Sequence, residues 1–368
     1  MVKKTDTGAR ADPLPVRRAA TAYDVAKLAG VSQSAVSRAF TPGASVAPET
    51  RKRIITAAKE LSYRPNLIAR SLIKQRSGTI GVVISYLQNQ FNPEVLESLS
   101  RALKAAGYNI LLFTVDPHSA DPVLEEVLQL QVEALVLGST SLSSAVADEC
   151  AIAGIPVVLF NRTSAVNSVS SVAGDNVAGS RRIAQFLAAG GHRRFGYIAG
   201  LENSSTNQER EAGYTTWLQQ NRLSVSSRAV GNYTFQGAWD AMREICSQPE
   251  RPDAVFCAND HMAIAALEVA RSEFGLDVPG DLSIVGFDDV GAARWPSFSL
   301  TSFSQPVDVM VAETVRILLG LIGGETATRE AITVPGHLIV RRSARLPPHG
   351  IERNGDVLVW CPSDPLVP

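Results

Sequence analysis

The pattern of apolar and polar residues changes character near Gly78. Before that point, apolar residues recur at helical spacing in three short segments, residues 23–29, 33–40 and 48–61. Thr21 and Ser32 stand where N-caps of the first two segments belong, and Pro48 suits the first turn of the third. The front of the chain therefore predicts a small three-helix domain.

From Gly78 onward, short apolar runs rich in β-branched residues alternate with stretches of helical periodicity. The predicted strands are residues 80–85, 109–115, 134–138, 157–161, 195–200, 254–259 and 283–288. The predicted helices between them include residues 93–106, 179–189, 209–221, 236–247 and 261–274. This alternation indicates parallel sheets covered on both faces, and about 270 residues are too many for one core, so two α/β lobes are expected.

A formal net charge of −1 hides a strong asymmetry along the chain. Residues 1–76 contain 15 Lys and Arg against 5 Asp and Glu, whereas the remainder contains 20 against 31. The front of the chain thus carries a formal +10 and the body −11. A basic domain of this kind is suited to binding a polyanion such as DNA.

The first two helices have the spacing of a helix-turn-helix motif, with small Ala26, Gly30 in the turn and Val36 facing inward. Spacing alone leaves open an ordinary helical bundle with a solvated basic face. The outward side chains of the second helix favour DNA, because they are of types that read bases: Gln33, Ser34, Ser37 and Arg38. Suitable phosphate contacts are offered by Thr21, Tyr23 and Ser32.

Three segments carry a family resemblance: TAYDVAKLAGVSQSAVSRAF, then VAPETRKRI, then LSYRPNLIARSL. Together they resemble the lactose-repressor (LacI/GalR) family of bacterial transcription regulators, and the likeness extends over about residues 21–347. The resemblance implies a DNA-binding head followed by a two-lobed core like that of periplasmic sugar-binding proteins, with a cleft between the lobes. Chain crossings are then expected near residues 172–175, 300–303 and 332.

These expectations divide the chain as follows. Residues 1–20 form a disordered basic arm, residues 21–65 the helix-turn-helix domain, residues 66–77 a hinge helix and linker, residues 78–346 the two-lobed effector-binding and dimerisation domain, and residues 347–368 an irregular tail. Within the core, lobe 1 is expected at about 78–173 and 303–331, and lobe 2 at about 174–300 and 333–346. The tail lacks an apolar heptad repeat, so no tetramerising coiled coil is predicted.

The resemblance also assigns a role to residues 66–73, as a hinge helix that folds when a dimer meets its operator. Leu72 matches the leucine that inserts into the minor groove, Ala69 its close-packed neighbour, and Asn66 begins the segment. An apolar wedge of this kind unstacks a base step and bends the DNA. On composition alone, Leu72 would be a linker leucine that covers the body.

Polar side chains cluster at the ends of the predicted strands, where parallel α/β sheets bind ligands. The resemblance implies that effector contacts come from these positions: Ser85, Phe91, Asn161, Arg162, Thr206, Arg210, Tyr233, Asn259 and Asp288. Arg210 and Asp288 are expected to face each other as a cationic fork and an acceptor. Alternative interpretations remain for others: Phe91 and Tyr233 as core aromatics, and Arg162 as a surface arginine.

Several neighbours of these residues have a simpler interpretation. Asp260 is expected to cap the helix that follows it, and Asp289 to be structural. Asp175 and Asn176, at the first crossing, are interpreted as hinge residues. The five histidines are dispersed and are expected to be surface or capping residues.

The sequence argues against other classes of function. No GxGxxG, GxxxxGK, GxSxG or HExxH motif occurs, so no enzyme activity and no cofactor or metal are expected. The four cysteines are scattered, which indicates reduced thiols. The arm lacks the apolar core of a signal peptide, and no run reaches membrane-spanning length. A solute-binding protein without DNA function is the alternative, but it would need export and would not use the basic head.

The expected function is a cytoplasmic, nucleoid-associated repressor that binds double-stranded operator DNA as a homodimer. Its effector is expected to be a sugar, sugar acid or sugar phosphate. The hypothesis is that effector binding lowers operator affinity, with corepression as the alternative that the sequence leaves open. Outward helices of lobe 1, such as residues 93–106, are expected to supply the dimer face.

Overall fold

The structure is a computed structural model, and it describes residues 18, 20–41, 43–64, 77–85, 87–114, 126, 127, 129–138, 149, 150, 152–163, 169–324 and 329–362. Nearly all of the predicted basic arm lies outside the described residues. So does the predicted hinge segment, with Asn66, Ala69 and Leu72, and so do the last six residues of the tail. These expectations therefore stay predictions.

Three helices form the head: α1 (Ala22–Ala29), α2 (Gln33–Ala39) and α3 (Pro48–Glu60). The Thr21 hydroxyl accepts from the amide of Asp24, whose carboxylate accepts from the amide of Thr21, so a capping box begins α1. Gly30 ends α1 in the left-handed region at φ 63°. Ser32 caps α2 through the amide of Ala35. The predicted caps and the predicted three helices are thus confirmed.

A small core holds the three head helices together. Val25, Val36 and Ile54, one from each helix, are almost completely buried. Arg51 of α3 ties the helices further, since its guanidinium donates to the carbonyl oxygens of Ala39 (2.8 Å) and Ala44 (3.0 Å). These bonds satisfy carbonyls at and beyond the end of α2, so α2 is fixed by its inward side while its outward side stays exposed.

Two sheets make up the body. Lobe 1 contains β1 (Thr79–Ile84), α4 (Phe91–Ala105), β2 (Asn109–Thr114), β3 (Ala134–Leu137), β4 (Val157–Phe160) and β5 (Ser170–Gly174). Lobe 2 begins with α5 (Asn176–Ala189), β6 (Phe195–Ala199), α6 (Ser205–Gln220), β7 (Val225–Val230), α7 (Phe235–Cys246), β8 (Ala254–Cys257) and α8 (Asp260–Glu268).

The remaining elements complete lobe 2, return once to lobe 1 and end in lobe 2. A π-helical turn (Val269–Glu273), β9 (Ser283–Asp288), a 3₁₀ turn (Gly291–Arg294) and β10 (Thr301–Ser304) complete the first pass through lobe 2. The chain then returns to lobe 1 for α9 (Val307–Ile322) and β11 (Ala331–Val334), and ends in lobe 2 with β12 (Leu338–Val340), β13 (Ile351–Asn354) and β14 (Val357–Trp360).

Lobe 1 has a six-stranded parallel sheet in the order β11-β5-β4-β3-β1-β2. Lobe 2 has eight strands in the order β13-β14-β12-β10-β9-β8-β6-β7, of which β12, β13 and β14 pair antiparallel. Helices pack on both sheets, and each lobe has its own apolar core. The predicted two-lobed α/β architecture is confirmed.

Two of the predicted lobe boundaries are wrong by a few residues. The second crossing was expected near 300–303, but Thr301–Ser304 pairs with β9 and remains in lobe 2. The third was expected near 332, but Ala331–Val334 pairs with β5 in lobe 1. Each of these two short strands is paired along its full length. The chain therefore crosses between the lobes only after the strand has ended, at residues 305–306 and 335–337.

All seven predicted strands are present, with ends within two residues of the predicted ones. The five predicted body helices begin earlier than expected, by up to four residues. Four of them start at a polar N-cap whose side chain accepts a backbone amide hydrogen: Asp175, Ser204, Thr234 and Asn259. Capping therefore extends these helices beyond the apolar pattern that predicted them.

The tail is not irregular as predicted, because residues 351–360 form a hairpin that extends the lobe 2 sheet. Trp360 is buried, packs edge-on against Phe186 at 5.6 Å between ring centroids, and donates its indole N–H to the carbonyl of His349. The apolar run Val357–Trp360 has a paired neighbour in β12, which outweighs the prolines that flank it.

None of the helices described here is long and apolar enough to cross a lipid bilayer.

Candidate functional site

A cleft of about 420 Å³, part of it open to solvent, lies between the two lobes at the carboxyl ends of their strands. Its walls are formed by Ser85, Asn89, Phe91, Asn92, Gly138, Asn161, Thr206, Arg210, Tyr233, Asn259 and Asp288. The structure thus brings together eight of the nine predicted effector-binding residues. Arg162 does not line the cleft, whereas Asn89, Asn92 and Gly138 do and were not predicted.

Arg210 and Asp288 form an ion pair inside lobe 2. Nη2 of Arg210 lies 3.3 Å from Oδ1 of Asp288, and both side chains are almost fully buried. Nε of Arg210 donates to Oδ1 of Asn176 (2.8 Å), Nη1 donates to the carbonyl of Ala258 (2.6 Å), and the guanidinium lies 3.8 Å from the centre of the Phe287 ring. The predicted facing pair is present, and its arginine is held in a single orientation.

Asp288 sits at the end of β9 in an unusual backbone conformation, with φ at 114°. Its carboxylate accepts from Nε2 of Gln305 at 2.7 Å. Burial raises the pKa of Asp288 to about 6, although Arg210 and Gln305 favour the charged form. A non-glycine residue at positive φ is strained, and such strain occurs preferentially at functional sites.

Asn259, rather than Asp260, caps α8, since Oδ1 of Asn259 accepts from the amide of Met262 at 3.0 Å. The expected capping role of Asp260 is therefore wrong. Asp260 is completely buried and accepts from the Ser302 hydroxyl (2.6 Å) and from the amide of Val290 (3.0 Å). Burial raises its pKa well above the usual range. Asp260 thus fixes the loop that follows Asp288.

Asp289 has the structural role that was expected. Its carboxylate accepts from Arg341 at 2.6 Å and forms a longer ion pair with Arg294 at 3.3 Å.

One of the histidine expectations is wrong, because His192 is completely buried, with Nδ1 3.3 Å from Oδ1 of Asp253.

Two aromatic rings line the cleft. Tyr233, with φ at 59°, shares a 3.1 Å hydrogen bond between its hydroxyl and that of Thr206. A Cβ atom at Gly200 would overlap the Tyr233 ring, so glycine at the end of β6 leaves the room that the ring occupies. Phe91 contributes from the first turn of α4 in lobe 1. Both rings are nearly buried, yet both also line the cleft.

Three buried polar atoms of cleft residues make no hydrogen bond within the protein. These atoms are Oδ1 of Asn161, Nη2 of Arg210 and Nδ2 of Asn259. Nη2 of Arg210 has the ion pair with Asp288 but no hydrogen bond of its own. Buried donors and acceptors are normally satisfied, so these atoms indicate a place for a polar ligand.

Polar contacts join the lobes on either side of the cleft. On one side, the Thr163 hydroxyl donates to Oε1 of Glu209 (2.6 Å), and the Thr163 amide donates to the Ser205 hydroxyl (3.1 Å). On the other, the amide of Gly291 donates to Oε1 of Glu94 at 2.7 Å. The described structure therefore holds its lobes together by direct hydrogen bonds.

Asn176 was expected only as a hinge residue, but it also connects these contacts to the ion pair. Its Nδ2 donates to Oε2 of Glu209 at 2.8 Å, while its Oδ1 accepts from Nε of Arg210. Asp175 caps α5 through the amide of Ala178. Asn176 follows the end of β5 by two residues, but β5 was not among the predicted strands, and Glu209 lies within α6. The rule that found the other cleft residues therefore did not find these two.

In the head, α2 presents its polar side to solvent. Its exposed side chains include all four predicted base-reading residues, Gln33, Ser34, Ser37 and Arg38. Tyr23 on α1 is also exposed. Thr21 and Ser32 serve as N-caps, which leaves their phosphate contacts a prediction. The exposed side of α2 has the polarity and shape needed to enter a major groove.

Comparisons with known proteins agree on both parts of the chain. The family model described as bacterial regulatory proteins, lacI family, matches residues 21–66. A model described as a periplasmic binding protein-like domain matches residues 184–344.

Relatives align along almost the whole chain. The transcriptional regulator CelR of Thermobifida fusca is 34% identical over 337 residues, covering 89% of this chain and 99% of CelR. The transcriptional repressor PurR of Klebsiella pneumoniae is 32% identical over 330 residues, covering 88% of this chain and 96% of PurR.

Solved structures of related regulators also align with almost the whole chain. A CelR–cellobiose complex has a TM-score of 0.67 at 32% identity and covers 88% of this chain and all of that one. The lac repressor dimer bound to operator and the anti-inducer ONPF has a TM-score of 0.78 at 26% identity, with 89% of this chain and 99% of that chain covered.

Proposed function

Because the chain belongs to the LacI family of bacterial regulatory proteins, we propose that it is a repressor switched by a small molecule. The head binds operator DNA in a sequence-dependent manner, and the effector binds between the two lobes. The observation that carries this proposal is the buried Arg210–Asp288 pair in the cleft of a chain that also has an exposed helix-turn-helix.

The DNA-binding role rests on the exposed side of α2. Gln33 and Arg38 have the donors and acceptors for adenine and guanine edges, and Ser34 and Ser37 stand beside them. Thr21, Tyr23 and Ser32 contact phosphates and set the register. Asn66, Ala69 and Leu72 act as the hinge segment, an assignment that rests on the sequence alone.

The effector role rests on the chemistry of the cleft. Arg210 donates and Asp288 accepts, while Asn161, Asn259 and Thr206 add neutral hydrogen-bonding groups. The remaining predicted contacts are Ser85, Phe91 and Tyr233. Since a related CelR structure contains cellobiose, we assign a sugar or sugar derivative to this cleft. Arg162 lies outside the cleft wall, so its role as a contact has no support from the geometry.

The protein acts as a homodimer, as the lac repressor does in its operator complex. Two heads then read two half-sites of a pseudo-palindromic operator. The expected dimer face on α4 includes side chains that are exposed on this chain. Its relatives are regulators rather than enzymes, so we assign no catalysis to the cleft, and we place the protein in the cytoplasm, where operator DNA is found.

Switching follows from the contacts between the lobes. A ligand that binds one arrangement of the lobes more tightly than another shifts the equilibrium between them. If the favoured arrangement separates the heads differently, operator affinity must change, and DNA must change ligand affinity by the same factor. We propose induction, in which the effector lowers operator affinity.

The test begins with selection of an operator from random DNA by the full-length protein. Operator affinity is then measured with and without a ligand that raises the melting temperature in a screen of sugars, sugar acids and sugar phosphates. The expected result is sequence-selective binding that the ligand weakens. Asp288→Asn is expected to bind the operator normally and to lose the response to the ligand.

Two results would contradict this proposal. Equal affinity for selected and scrambled DNA would remove the repressor function. Tighter operator binding on addition of the ligand would replace induction by corepression.

A further inference from the structure

The charges that line the cleft cancel. Among the described residues of its wall, only Arg210 and Asp288 are charged, and they form an ion pair with each other. At neutral pH the described part of the wall therefore has no net charge. An anionic ligand would add an unbalanced charge to a largely buried site, which is strongly unfavourable unless a cation compensates for it.

Arg210 is not available as that cation. Its Nε binds Asn176, its Nη1 binds the carbonyl of Ala258, and its charge faces Asp288. Nη2 still has donor capacity, which suits a hydroxyl oxygen. A phosphate or carboxylate would instead have to compete with Asp288 for the same positive charge.

Three other arginines of the body already have acidic partners. Arg294 and Arg341 both pair with Asp289, and Arg101 lies 3.8 Å from Asp308. Of these, Arg101 and Arg294 line a neighbouring groove rather than the cleft. Arg162, the second arginine that could have favoured an anion, does not line the cleft either.

The rest of the wall is suited to neutral hydroxyls. Side chains that can both donate and accept hydrogen bonds come from both lobes: Ser85, Asn89, Asn92, Asn161, Thr206 and Asn259. Phe91 and Tyr233 add ring faces that can cover the apolar C–H side of a sugar ring. Unsatisfied atoms on Asn161 and Asn259 show that this hydrogen-bonding capacity is not used up within the protein.

We propose that the effector is an uncharged sugar, and that phosphorylated sugars and sugar acids are excluded by the Arg210–Asp288 pair. This inference rests on the proposed effector role of the cleft and names the chemical class of its ligand. Asp288 serves as a selectivity residue here, because it accepts from sugar hydroxyls and at the same time repels anions.

Matched pairs of ligands test the proposal on the full-length protein at pH 7.5. The pairs are D-glucose and glucose 6-phosphate, D-galactose and D-galacturonate, D-ribose and ribose 5-phosphate, with cellobiose and hypoxanthine as single probes. Thermal shift identifies binders and calorimetry gives the affinities. At least one neutral sugar is expected to bind, at least tenfold more tightly than its charged partner.

Two variants check the cause of this selectivity. Asp288→Asn leaves a net positive site, so it is expected to bind the neutral sugar at least tenfold more weakly and the charged partner more tightly than wild type does. Asn92→Lys adds a cation at the half-buried rim without touching the buried pair. It is expected to gain affinity for the charged partner, and it provides the test should Asp288→Asn fail to fold.

The proposal is overturned if wild type binds a charged ligand more tightly than its neutral partner, if hypoxanthine is the probe that binds, or if no neutral sugar binds. Operator affinity, measured on the same preparations, separates this outcome from failure of the repressor function. A protein that binds its operator and prefers an anion contradicts only the ligand class.

Discussion

The hydroxyl of Thr163 in lobe 1 donates a 2.6 Å hydrogen bond to the carboxylate of Glu209 in lobe 2. The second oxygen of Glu209 accepts from Asn176, whose carbonyl oxygen accepts from Arg210. A continuous line of hydrogen bonds therefore runs from lobe 1 to the arginine of the cleft. Through these bonds, contact between the lobes can affect the position of the Arg210 side chain in the cleft.

Breaking this contact is expected to weaken ligand binding without changing the cleft wall. Thr163→Val and Glu209→Gln should each raise the ligand dissociation constant, by roughly fivefold for a hydrogen bond worth about 1 kcal/mol. Calorimetry with the ligand that wild type binds provides the measurement.

The double variant is the control for this interpretation. If the two side chains act only through each other, the double variant should bind no more weakly than either single variant. Additive losses would show that Glu209 and Thr163 act separately, and that no coupling runs between them.

The acidity of Asp288 should appear in the pH dependence of stability. Burial raises its pKa from 3.8 to about 6, so between these values the folded protein binds a proton that the unfolded chain has lost. The contribution of Asp288 to stability is therefore largest below pH 4 and is lost as the pH rises to about 6, a change of about 3 kcal/mol. The groups around it are Arg210, Gln305, Glu94 and Asp260.

Denaturant unfolding at pH 5 and pH 7 checks this expectation. Wild type and Asp288→Asn are compared, so that the titration of all other groups largely cancels. The difference in unfolding free energy, wild type minus variant, should fall between pH 5 and pH 7. A difference that stays constant or rises would mean that Asp288 has an ordinary or lowered pKa in the folded protein.

In the head, Arg38 is expected to contribute to sequence preference as well as to charge. Arg38→Ala should reduce the preference for the selected operator by about 1–3 kcal/mol, the range for a lost bidentate contact to guanine. Binding to selected and scrambled DNA over a range of salt concentrations provides the measurement.

Lys59 on α3 offers a matched control, since it is equally basic and exposed but lies off α2. Lys59→Ala should lower the affinity for selected and scrambled DNA by the same factor. The salt dependence of binding should become shallower if Lys59 contacts phosphate. Arg38 would be only a phosphate contact if both variants lowered the two affinities by the same factor.

The C-terminal hairpin is expected to stabilise lobe 2. Trp360→Ala removes a buried indole that packs on Phe186, which should cost about 3–5 kcal/mol of unfolding free energy. Leu358→Ala, two residues earlier on the same strand but partly exposed, should cost much less. Equal effects of the two substitutions in urea unfolding would show that the hairpin contributes little through its buried side chain.

Strands built from β-branched and aromatic residues could be predicted from the sequence, as with Ser283–Asp288 and Val157–Phe160. Strands built from small polar residues could not. β10 consists of Thr301, Ser302, Phe303 and Ser304, and β7 has the sequence VSSRAV. The hydroxyls of β10 bond to partners distant in sequence, such as Asp260 for Ser302, so local composition does not reveal that this strand is buried.

The candidate site was predictable where its residues end strands, because parallel sheets present all such ends along one edge. Asn161, Asn259 and Asp288 were found by this rule. Asn89 and Asn92 were not, since they lie in and just after the loop that follows β1. Asn176 and Glu209 act through contacts between side chains far apart in sequence, which only the folded chain reveals.

The C-terminal hairpin and the repeated crossings between the lobes have a consequence for how this protein is made. The head is complete within its first 64 residues, but the lobe 1 sheet lacks its last strand until Val334 and the lobe 2 sheet until Trp360. Domains generally fold as units during synthesis, with the N-terminal one first, so the head can fold before either sheet has its last strand. We therefore expect a nascent chain to have a folded DNA-binding module well before it can respond to its effector.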